Sequence, residues 1–236
     1  MTSRLMAITG WLSAGHALLF GLFWLLLSIP ESNVAMLVAS ALLVVTMALL
    51  FGWVEAVAVL AWRGGWPARE LPRRAIRATP GVWLGAALFV VVSYLVTHAG
   101  VWWRGHQGET DAWLMLHLGW ANTGTFHAGV RGLLAFVRFA GLSLALSLAS
   151  AIVAAGFRAI RDVRWVCDGI RPLRLLMIAA ILLLFVWLPW RGVNWRPTWL
   201  TPNWEEAVFV ALKLGVIYLI ANVGWALVLG AAAKRQ

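Results

Sequence analysis

Three ionisable residues lie inside long apolar stretches of this sequence, and chemistry is sought there first: Glu55, Arg138 and Lys213. A charge in hydrocarbon is costly, so it persists where it has a partner or serves an ion path, a proton relay or a lipid contact. Glu55 stands eight residues before Arg63, about 12 Å inside one boundary of its stretch at the rise of an α-helix. It is expected to pair with a basic residue of the neighbouring loops, or else to titrate within a proton path. Arg138 and Lys213 each lie about 10–12 Å from the opposite boundary. Arg131, seven residues before Arg138, shares its helical face. Two cations at one depth repel unless an anion lies between them. A lipid phosphate, an anionic substrate, or Glu205 and Glu206 reaching inward would serve. Arg131, Arg138 and Lys213 are therefore candidates for an anion or lipid site. The simpler alternative has each long side chain extending to the headgroups.

A second group, His106, Glu109, Asp111, His117 and His127, falls between residues 102 and 131. Imidazole and carboxylate are metal-ligating groups, but the spacings match no compact ligand motif. Solvated loop residues bonding to headgroups are the competing reading. His16 lies in a separate apolar stretch and is expected to be a buried, hydrogen-bonded histidine. A haem or pigment held by His16 stays open, although the sequence offers no second histidine at its depth, and no cofactor is expected. No P-loop, HExxH, GxSxG or Ser–His–Asp pattern occurs, which lowers the expectation of an enzyme.

The elements that must position these residues are membrane spans. Of 236 residues 62% are hydrophobic and 12% charged, roughly half the charged share of a soluble domain, so lipid is the solvent for most of the chain. Six segments approach the ~20 apolar residues a helix needs to cross: about 7–29, 34–62, 81–101, 132–157, 173–190 and 205–230. Seventeen tryptophans face two tyrosines. Trp102, Trp103, Trp187, Trp190, Trp195, Trp199 and Trp204 gather at span ends, where indole suits the headgroup level. Thr79-Pro80 and Arg171-Pro172 place proline at the first position of spans three and five. Pro30 and Pro189 are expected to close spans one and five, and Asn203 with Glu206 to cap the sixth. The apolar periodicity of 112–120, preceded by Glu109 and Asp111, predicts a short helix lying in the interface between spans three and four. The first stretch has no small-residue cleavage site after it and is expected to remain as a span. The sequence thus predicts an all-α integral membrane protein with six spans in one transmembrane domain.

With the N-terminus inside, thirteen basic residues face the cytoplasm: Arg4, five from Arg63 to Arg77, five from Arg158 to Arg174, Lys234 and Arg235. Only Arg104, Arg131, Arg191 and Arg196 face outward. This bias places both termini in the cytoplasm of an inner membrane. It also explains the net charge of +10 through contact with anionic lipid rather than nucleic acid. Arg74-Ala75-Ile76-Arg77 returns as Arg158-Ala159-Ile160-Arg161, and Trp103-Arg104-Gly105 as Trp190-Arg191-Gly192. The offsets of 84 and 87 suggest three repeated two-helix hairpins, against chance recurrence of common residues.

The stretch Leu71-Pro72-Arg73-Arg74-Ala75-Ile76-Arg77-Ala78-Thr79-Pro80 is a short basic amphipathic segment, then proline, then an apolar helix. In this the chain resembles six-helix bacterial membrane proteins like the membrane domain fused to some glycerophosphodiester phosphodiesterases. The resemblance covers about a third of the chain and implies a six-helix membrane fold. The catalytic domain of those fusions has no counterpart here, so no phosphodiesterase chemistry follows. The expected function is a non-enzymatic subunit, scaffold or permease-like component that contacts lipids, including anionic ones, and other membrane proteins. The alternatives are a membrane-embedded enzyme acting on an anionic lipid at the outer face and a pigment- or haem-carrying subunit.

Overall fold

Long apolar runs without charges leave the backbone one way to satisfy its polar groups in lipid, which is within helices. The computed structural model, which describes residues 2–30, 32–120, 122–195, 197 and 204–233, is helical throughout, with no strand among those residues. Six helices are long and apolar enough to cross a membrane. They are α1 (Thr2–Ser28), α2 (Val34–Arg63), α3 (Leu71–Gly105), α5 (Gly124–Ala155), the combined α7 (Pro172–Leu182) and α8 (Leu188–Arg191), and α9 (Trp204–Ala233). Two short helices, α4 (Gln107–Leu118) and α6 (Arg164–Gly169), sit in the connections after α3 and α5. The protein is an all-α, six-span membrane protein.

Its packing inverts the pattern of a soluble domain. Large apolar residues such as Phe20, Trp24, Leu95, Leu176 and Leu212 point outward, whereas Ala, Gly and Ser crowd the helix crossings. α5 is the central element: half of its most apolar window is buried, against 6–17% for the other five spans. It packs most extensively along α3. At that crossing a Cβ on Gly85 would lie 2.6 Å from the Ala145 carbonyl, and one on Gly81 2.8 Å from Ile152. Small residues let the backbones approach where lipid supplies no hydrophobic drive between helices. A second core joins α1, α2, α3 and α9 through Leu12, Val54, Ala75, Ala78 and Ala226.

Several boundaries differ from the sequence reading. Pro80 does not start a helix, because α3 begins at Leu71 with Pro72 in its first turn and runs through Pro80. The Pro80 ring is on the exposed side, while Ala75, Ala78, Thr79 and Val82 are buried and hold the helix together by packing. Pro189 does not end the fifth span either. A π-helical turn, Leu183–Trp187, precedes it, and the Leu188 N–H bonds the Leu183 carbonyl five residues back. That widened turn admits a residue with no N–H to give. α5 starts eight residues before the expected 132 and so carries Arg131 in its body. α4 starts at Gln107, taking Glu109 and Asp111 into the helix, and stops before Gly119 at φ 65°. Pro172 does begin α7, and Asn33 caps α2, its side chain accepting from the Met36 N–H at 3.0 Å. Asn203, Arg196, Trp199, Lys234 and Arg235 lie outside the described residues.

Consecutive spans adjoin, α1 with α2, α2 with α3, α3 with α5, and α7–α8 with α9, and α2 packs on α3 as extensively as on α1. The recurring tripeptides both end helices. The recurring tetrapeptides differ: Arg74–Arg77 is inside α3, whereas Arg158–Arg161 forms a 3-10 segment (Gly156–Arg161) after Gly156 at φ 67°.

Candidate functional site

Helical spacing on α9 puts Tyr218, Asn222 and Trp225 on one face, at i, i+4 and i+7. That face meets Ser13 and His16 of α1 and Glu55 of α2 in the middle of the bundle. Glu55 is 2% exposed. Its partner is His16, with Nε2 3.0 Å from Oε1, and not an arginine of the loops as the sequence suggested. The reason is depth: Glu55 and His16 stand at the same level, while Arg63, two turns on, reaches Ser150 instead, at 3.0 Å. Trp225 Nε1 donates to both Glu55 oxygens at 3.0 Å.

The hydrogen-bond pattern sets the protonation of this site. The Asn222 amide nitrogen donates to the Tyr218 carbonyl at 2.9 Å, which turns Oδ1 toward His16 Nδ1 at 2.7 Å. An amide oxygen only accepts, so Nδ1 carries a proton. A neutral imidazole protonated at Nδ1 presents a lone pair at Nε2, and a lone pair facing a carboxylate oxygen at 3.0 Å repels it. One proton must therefore lie between them, either on Nε2 (imidazolium and carboxylate) or on Glu55 (acid and imidazole). Both forms are neutral overall, which is what a buried site in low dielectric favours. Tyr218 Oη donates to the Ser13 carbonyl and locks α1 against α9 beside the pair. Trp11 does the same between α1 and α2 by donating to the Val54 carbonyl at 3.1 Å.

The candidate cations take separate partners. Arg138 Nη2 donates to Thr97 Oγ1 of α3 at 2.7 Å. Lys213 Nζ donates to the carbonyls of Val193 and Trp195 at 2.6 and 2.8 Å, tying α9 to the segment after α8. Arg131 is exposed on α5. Glu205 and Glu206 lie in the first turn of α9.

Of the histidine and acid group, the structure brings two members together. His127 Nε2 donates to Asp111 Oδ1 at 2.7 Å, joining α5 to α4. The Thr123 hydroxyl, followed by His127, holds the Asp111 carboxyl below its ordinary range. His106 and His117 bond to the carbonyls four residues behind them and stack on Trp102 and Trp113. Glu109 is in the first turn of α4. Among the described residues no three His, Cys, Asp or Glu side chains gather closely enough to hold a metal ion.

Both ring nitrogens of His16 are engaged, so iron would have to displace Asn222 or Glu55 to bind there. Sequence reading found His16 and Glu55 singly and missed Tyr218, Asn222 and Trp225, whose signal is a polar stripe at helical spacing on an otherwise apolar span. Comparison of the chain with models of protein families, with curated proteins and with solved structures finds no match in any of the three.

Proposed function

We propose that this chain is a non-enzymatic, permease-like component of a membrane complex, and that the His16–Glu55 pair is its proton-holding site. One observation carries the reading: a carboxylate 2% exposed, at mid-bundle, facing a histidine so that a single proton must sit between them. Ionisable groups are retained within spans where they move or sense ions and protons. The groups facing the pair are Asn222, Tyr218 and Trp225 of α9, Ser13 beside it on α1, and the backbone of α2. No other charged side chain is bonded to it among the described residues, so the two groups share the proton between themselves.

The bias of arginine to one end supports a cytoplasmic location for Arg63–Arg77 and Arg158–Arg174, with an inner-membrane setting and both termini inside. The outward Trp113 and Leu116, 53% and 81% exposed, suit an α4 that lies in the opposite interface. Three hairpins arranged about the membrane normal remain our reading of the recurring tetrapeptides and tripeptides. An enzyme acting on an anionic lipid at that interface has less support, because Arg138 and Lys213 reach different partners, Thr97 for one and the Val193 and Trp195 carbonyls for the other.

The test uses membrane vesicles from cells making the chain, loaded with a pH dye and given a valinomycin-driven potassium potential. Wild-type vesicles should change internal pH faster than vesicles carrying equal amounts of Glu55→Gln. Equal rates in wild type, Glu55→Gln and empty vesicles would refute a proton-moving role and leave the pair as a device that registers α1, α2 and α9.

A further inference from the structure

At the arginine-rich end, away from the His16–Glu55 site, the ends of α5, α6, α7 and α9 enclose a cavity of about 380 Å³. Its walls are basic and only partly neutralised. Arg171 pairs with Asp168 at 3.3 Å, and Arg164 with Asp162 at 3.7 Å. Arg158 and Arg174 also line it, and neither forms an ion pair among the described residues. Arg63 of α2 lines it as well, so five arginines face two aspartates there.

Arg174 is 7% exposed. Its two terminal nitrogens donate to the carbonyls of Asp168 and Ala232, at 3.3 and 3.1 Å, which fixes the guanidinium at the cavity wall. Its Nε has no hydrogen-bonding partner. Ser147, 4% exposed, lines the same cavity with an unpartnered hydroxyl. Buried donors are normally satisfied, and leaving one unmade is costly. Unpartnered donors on two residues of the wall, beside surplus positive charge, describe the complement of an anion with several acceptor oxygens.

We propose that this cavity binds a phosphate monoester, with Arg174 Nε and the Ser147 hydroxyl as its buried donors and Arg158 as its outer counter-charge. A dianion suits a wall on which five arginines face two aspartates. A chloride ion would leave most of the donors unused. Phosphate of this kind comes either from the headgroup of an anionic lipid, since the cavity opens where a leaflet would end, or from a soluble phosphate.

Cys167, the single cysteine, is exposed and lines the cavity, so it reports occupancy. The experiment measures the rate of maleimide addition to Cys167 in phosphatidylcholine nanodiscs, with inorganic phosphate added or with phosphatidic acid mixed into the bilayer. Either probe should slow the reaction. Protection by inorganic phosphate identifies a soluble source, and protection by phosphatidic acid alone identifies a headgroup. Arg158→Ala and Ser147→Ala should each weaken protection roughly tenfold, the size expected for one charge-assisted hydrogen bond. Arg73→Ala, at the same end but outside the cavity wall, should not weaken it, and Glu55→Gln should leave it intact, which separates this site from the proton site. The proposal fails if neither probe protects, if sodium chloride at equal ionic strength protects as well, or if Arg158→Ala and Ser147→Ala bind like wild type.

Discussion

Among the described residues two histidine–carboxylate pairs of similar geometry place their acids in opposite surroundings. His16 and Glu55 meet at 3.0 Å with the acid side chain 3% exposed, and His127 and Asp111 meet at 2.7 Å with the acid side chain 37% exposed. The first joins two spans across 39 residues, and the second joins α5 to a short helix across 16. Water reaches Asp111 and screens the pair from that side, which discounts its contribution, although His127 itself is 8% exposed. No water competes for Glu55, so removing one partner leaves the other buried and unsatisfied. A histidine–carboxylate pair thus has a solvent-facing acid in one place and a buried acid in the other, and burial of the acid makes the difference.

Glu55→Ala should separate the two most sharply. It strands His16 Nε2 and Trp225 Nε1 together and should cost about 3–5 kcal/mol, read as a large fall in thermal midpoint in detergent. A drop no larger than that of Asp111→Ala would contradict the contrast. Asn222→Ala comes next. It removes the acceptor that fixes the His16 tautomer and should cost about 1–3 kcal/mol, with proton flux in vesicles falling alongside. Flux that survives at full rate would show that the tautomer is unimportant.

Asp111→Asn should have the smallest effect, little change in midpoint at neutral pH. Its pH dependence has a definite sign. The folded state holds the Asp111 carboxyl below its ordinary value, so its stabilisation is present above that ordinary value and is lost as pH falls through the lower, folded one. Wild type should therefore lose its advantage over Asp111→Asn only under strongly acidic conditions, seen as proteolytic exposure of α4. An advantage that disappears near neutrality would mean that His127, and not Asp111, sets it.

The span count was legible because length and hydropathy suffice for it, as α2 shows: Val34–Arg63 was expected at 34–62. The starts of α3 and α5 were not, since local punctuation was overruled by packing. Pro80 read as a helix start, yet the buried Ala75, Ala78 and Thr79 carry the helix through it. The site was half legible. Glu55 and His16 stood out as polar residues in apolar runs, but their pairing depends on which helices adjoin, and that is set by small-residue contacts such as Gly15 against Val54. Comparing depth across helices, with the polar stripe of α9 included, is the reading that would have joined them. Arg138 and Lys213, expected at one depth, have no neighbour in common: one reaches α3 and the other the segment after α8.

The account rests on one proton between His16 and Glu55 with Nδ1 permanently protonated. Nitrogen NMR of the protein labelled with 15N-histidine, in lipid nanodiscs at neutral pH, reads this directly, and His16→Gln assigns the signal. His16 should show a protonated Nδ1 and an Nε2 strongly hydrogen-bonded to a shared proton, and Glu55→Gln should perturb the Nε2 signal alone. A His16 with a bare Nδ1 and an ordinary Nε2–H, unaltered by Glu55→Gln, would contradict the account.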